Sequence, residues 1–123
     1  MSYRDPLPEG CPPSEAREIK AERVVYRLVC ANIPQLTDFQ SQRMESPQAI
    51  FRVPECLVCG ISVHTLQTDT ERIRKLPRFR NSLVCRVRLQ NGAGRMQQTF
   101  QPSHHTWWPL AAFDILSHCE VPV

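Results

Sequence analysis

Glycine is scarce in this 123-residue chain, with four residues against eleven prolines. Neither the GxxxxGK[ST] phosphate cradle nor the GxGxxG dinucleotide fingerprint occurs, which excludes the two commonest glycine-built nucleotide loops. The HExxH metalloprotease helix and the GxSxG nucleophile elbow are also missing. Prolines at this frequency favour rigid turns and edges over long helices. Lysine is nearly absent, since Lys20 and Lys75 are the only two among fifteen cations. Arginine therefore carries the positive charge, and its planar fork suits fixed contacts to carboxylate or phosphate. The net charge of +3 is spread along the chain. That balance permits an anionic ligand but lacks the dense basic face that nucleic acid calls for, so nucleic acid is not the expected partner.

Long apolar runs are missing as well. No stretch approaches the roughly 20 residues of a membrane span. The charged, proline-containing start MSYRDPLPEG lacks the apolar run of about 7–15 residues found in a secretory leader. The expectation is a cytoplasmic protein with no membrane association, whose six cysteines stay as thiols in a reducing compartment.

What remains is ordinary globular material. Hydrophobic residues make up 41% and charged residues 22%, in a length typical of one domain. A chain of this size can withdraw roughly two-thirds of its unfolded surface from water. Residues 1–13 hold four prolines and read as an N-terminal arm, with residues 14–123 as a single domain. VVYRLVC (24–30) and ISVHTL (61–66) read as strands. Capping-box spacings at Thr37–Gln40 and Thr68–Glu71 predict short helices. LVCRVRL (83–89), the turn pair Asn91-Gly92 and residues 95–100 predict a hairpin. FDILSHCEV (113–121) predicts a last strand. The sum is an α+β domain: a mainly antiparallel sheet of about five strands with two or three short helices.

Four features carry chemistry. In QPSHHTWWPL (101–110), an extended backbone sends His104, Thr106 and Trp108 one way and His105 and Trp107 the other. Imidazole beside indole suits a flat ligand; the same indoles also suit an anchor that pins a loop to the core. Arg27 lies in an apolar strand and requires an acidic, backbone or ligand partner. Ser62 and His64 share a face of the second strand, without the acid that would complete a triad. Cys56-Leu-Val-Cys59-Gly60 has the spacing of half a zinc site, whose other ligands would come from elsewhere in the chain.

Strand residues Tyr26-Arg27, strand residues Gly60-Ile61-Ser62-Val63 and a following capped helix carrying Glu71 are similar, over about half the chain, to small bacterial ADP-ribosyltransferase-like folds. The resemblance implies NAD as ligand, held by Arg27 and Ser62, with Gln97 or Glu120 orienting the ribose. The leading functional expectation is a small binding or interaction module. It would recognise a partner protein or a flat anionic ligand through Arg27, Ser62, His64, His104, His105, Trp107 and Trp108. An NAD-using enzyme and a zinc-stabilised adaptor are the alternatives.

Overall fold

A computed structural model describes residues 2–122. Within them lie strands β1 (Arg17–Glu18), β2 (Arg23–Val29), β3 (Ile61–His64), β4 (Leu83–Leu89), β5 (Gly94–Gln98), β6 (His104–Pro109) and β7 (Cys119–Glu120), of which β2, β3 and β4 are the β-branched and apolar runs. Three helices, α1 (Gln42–Glu45), α2 (Glu55–Val58) and α3 (Gln67–Arg74), lie between them. All strand pairings are antiparallel, in the order β1-β5-β6-β3-β2-β4-β7. The fold is α+β as expected, with seven strands rather than five.

The two added strands are β1 and β6. β1 is two residues long and shows no periodicity to read. β6 is the histidine–tryptophan segment, expected as a loop. It pairs with β3 on one side and β5 on the other. Its second half is buried on both faces, which erases the polar–apolar alternation that marks a half-exposed strand. The predicted final strand contracts to a 3-10 turn (Leu116–His118) followed by β7.

The predicted β4–β5 hairpin does not form. Asn91-Gly92 does turn, with Ala93 N–H donating to Gln90 O at 3.0 Å and Gly92 at φ 93°. However, both edges of β4 are occupied, by β2 and β7. The chain passes instead to β5 at the far side of the sheet. In a flat sheet that passage would cross four strand spacings, roughly 19 Å, beyond the roughly 14 Å that residues 90–93 span even when extended. The sheet therefore curls. Its two halves close on one core, with Ile61, Val63, Met96 and Trp107 from one half against Val25, Val29, Val87 and Leu89 from the other. The true hairpin is β5–β6, joined by residues 99–103.

Helix starts also differ in detail. Ser41, not the Thr37 box, caps α1 by accepting from Met44 N–H at 3.2 Å. Leu36–Phe39 forms a 3-10 turn, and the Asp38 carboxylate ties it down through Cys30 N–H (3.0 Å) and Gln35 N–H (2.8 Å). α3 opens at Gln67 without a side-chain cap, so the Thr68 box is unused.

The thiol expectation fails at two positions. Cys11 and Cys56 form a disulfide that closes a sequence separation of 45, while Cys30, Cys59, Cys85 and Cys119 stay free. The expectation that all six cysteines stay as thiols, drawn from a reducing compartment, is therefore corrected. No helix among the described residues is long and apolar enough to cross a membrane.

The proline-rich arm lies along the domain. Tyr3 bridges to Leu110, Arg4 N–H donates to Pro109 O (2.9 Å), and the Arg4 guanidinium donates to Phe39 O.

Candidate functional site

The sheet is weakest where its halves meet. β2 and β3 share a single register pair, Tyr26↔His64, whereas β2 is paired with β4 along its whole length. Where the two strands diverge, Arg27 fills the split. Its guanidinium donates to Asp38 O (2.8 Å), Ser62 O (2.7 Å) and Gln40 O (3.1 Å). Burial pulls its pKa below the ordinary value, with nearby Glu45 and Asp38 acting the other way. The charge in the apolar strand is thus satisfied by backbone carbonyls, and Arg27 joins both halves of the sheet to the segment before α1.

Beside the split lies an open groove of about 530 Å³. Ser62 and His64 reach it from β3 and His104 from β6; Glu45 comes from α1, Thr70 from α3 and Phe100 from the β5–β6 loop. The register explains the grouping, because His64 pairs with His104 across β3–β6 and both side chains emerge on the same face. The two imidazoles meet edge to face at 5.2 Å, and Phe100 leans on His104 at 5.3 Å. Burial holds both histidines below their ordinary value of 6.5; for His64 the neighbouring His104 adds to the effect. Both rings are therefore neutral near pH 7, offering donors and acceptors but no charge. Charge at the groove comes from Glu45, from Arg27, whose donors are held by carbonyls, and from Arg78, whose guanidinium stacks on Phe79 at 4.8 Å.

Four of the seven residues expected at a site, Arg27, Ser62, His64 and His104, meet here. The other three do not. His105 points to the opposite face and lines a separate hollow with Arg17, Met96 and Gln98. Trp107 and Trp108 are 0% and 1% exposed, and their indole N–H groups donate to Ala93 O (2.9 Å) and Cys56 O (3.0 Å). Neither indole has an open face for a ligand; they anchor β6 in the core. The residues that the resemblance implies for the ribose also lie elsewhere. Gln97 lines the His105 hollow, and Glu120 is bound to Arg86 at 2.6 Å on the far edge.

The paired cysteines do not make half a metal site. Cys56 is consumed by the disulfide, and a sulfur in a disulfide is no thiolate ligand. Burial, followed by Glu55, pushes the Cys59 thiol up to about 11. No group of three metal-ligating side chains is gathered among the described residues.

Sequence reasoning missed Glu45, Thr70, Arg78 and Phe100. Each comes from a helix or loop whose position depends on the curl of the sheet, and no local spacing marks them. No family model, curated protein or solved structure matches the chain.

Proposed function

We propose that this chain is a binding module for a flat ligand carrying negative charge, seated in the groove beside the β2–β3 split. The observation that carries the reading is the convergence of Ser62, His64, His104 and Phe100 on one hollow with Arg78 at its edge. Two neutral imidazoles and an exposed phenyl ring suit a planar group, which gains from stacking and from edge hydrogen bonds. Arg78 supplies a cation for a phosphate or carboxylate on the same ligand.

NAD, the ligand implied by the resemblance, is the first probe, and adenosine 5′-monophosphate the second. Titration followed by backbone amide NMR is expected to shift the groove residues saturably, and His104→Ala is expected to weaken binding. No saturable shift with either compound at millimolar concentration overturns the reading.

An NAD-using enzyme would further need a carboxylate or amide facing the groove. Glu45, Gln42 and Gln101 line it, whereas Gln97 and Glu120 do not. Release of nicotinamide during the titration, lost in Glu45→Gln, extends the reading to catalysis.

A further inference from the structure

The β5–β6 loop fixes the chemistry of one wall of the groove. His104 Nδ1 lies 3.1 Å from Thr99 O and 3.0 Å from Thr99 Oγ1. A carbonyl oxygen only accepts, so Nδ1 carries the proton. The Thr99 hydroxyl, also hydrogen-bonded to Thr106 Oγ1 at 2.9 Å, has a lone pair free to accept from the same N–H. Because the ring is neutral, Nε2 is left as a bare lone pair. No protein group among the described residues hydrogen-bonds it, and the ring lines the groove. The wall therefore offers a hydrogen-bond acceptor, oriented from behind, with nothing of the protein's own to accept from.

Two neighbours add to this. Phe100 has φ 62° and is 66% exposed. The left-handed region is disfavoured for a residue with a Cβ. The loop nevertheless holds it there, through Thr99 N–H to His104 O and His104 N–H to Gln101 O, both 3.0 Å. The result is an apolar ring displayed against His104 at the groove. On the α3 side, Thr70 is 1% exposed, lines the groove, and its hydroxyl has no hydrogen-bond partner. A buried hydroxyl without a partner is costly to the fold.

We infer that the planar part of the ligand is a heterocycle with an exocyclic amine, such as the adenine of a nucleoside monophosphate, which stacks on Phe100 and donates an N–H to His104 Nε2. This rests on the groove reading above and narrows it to rings with a donor edge.

The test compares adenosine 5′-monophosphate with purine riboside 5′-monophosphate, which lacks only the amine, by calorimetry on the full chain. The amine-bearing nucleotide is expected to bind about tenfold more tightly, because its analogue leaves Nε2 unpaired. Phe100→Asn keeps a residue that tolerates the left-handed conformation; it is expected to weaken both nucleotides while leaving the thermal midpoint unchanged or higher. Independently, the imidazole ¹⁵N shifts of the free protein are expected to show His104 protonated on Nδ1 near pH 7. Equal affinity for the two nucleotides, or a proton on Nε2, overturns the inference and leaves the groove reading standing. Binding of NAD with neither mononucleotide does the same. Failure of NAD and both mononucleotides to bind overturns both.

Discussion

At Arg27 the guanidinium donates to three carbonyls on two sides of the sheet split. Charged donors on neutral acceptors are among the stronger hydrogen bonds, and their loss leaves those carbonyls with poorer partners. Arg27→Ala is expected to destabilise the fold by about 2–4 kcal/mol, read as a lower denaturant midpoint. An unchanged midpoint would show that the clamp is redundant. The histidines give a pH dependence whose sign follows from burial. Both are depressed below 6.5 in the folded chain, so the unfolded chain binds more protons once the pH drops under that value. Stability is therefore full above about 6.5 and declines as the pH falls through the depressed values. Replacing both His64 and His104 by Gln is expected to flatten that part of the profile, measured as thermal midpoint against pH. The need of Arg27 for a partner was legible in its strand; that the partner is backbone was not, because the carbonyls arrive from residues 38–40 and 62.

Among the elements, β6 shows how burial hides a strand. The sequence showed the tryptophans as either site or anchor, and pairing on both sides makes them anchors. Gly60, next to Cys59 before β3, follows from that packing. A Cβ there would collide with the Thr106 methyl and press on the Trp108 indole, whose N–H is tied to Cys56 O. Gly60→Ala is thus expected to cost about 1–3 kcal/mol, since a filled core takes extra volume only by displacing side chains. Urea unfolding checks this, and a neutral result would mean that β6 yields easily. Asn91-Gly92 teaches the complementary lesson: the turn and the strand after it were readable from their residues, but not the partner that strand takes. Turn chemistry sets a local reversal, whereas pairing depends on which strand edges are still open.

For the whole molecule, the arm and the disulfide matter most. The arm fastens to residues 109–111 at one end and to α2 through Cys11–Cys56 at the other, with Arg4 reaching Phe39 O between them. Closing a loop of this length restricts the unfolded chain by about 4 kcal/mol on the chain-entropy account. Reduction is expected to lower the unfolding free energy, read from denaturant unfolding, by a comparable amount and to speed hydrogen exchange at the Arg4 and Ala111 amides. Unchanged exchange after complete reduction would show that the arm stays docked without its covalent tie.

The sequence by itself determined the α+β class, the approximate positions of β2, β3, β4, β5 and α3, and the oddity of a charge inside β2. Those properties depend on period, propensity and turn residues, which act over a few neighbours. Only the tertiary structure decided that β4 and β5 part company, that Cys11 meets Cys56, that the indoles are interior, and that His104 joins His64 while His105 does not. Each of these depends on how a curled sheet brings distant segments together, and the free energy that selects the curl comes from burying both halves' apolar faces at once.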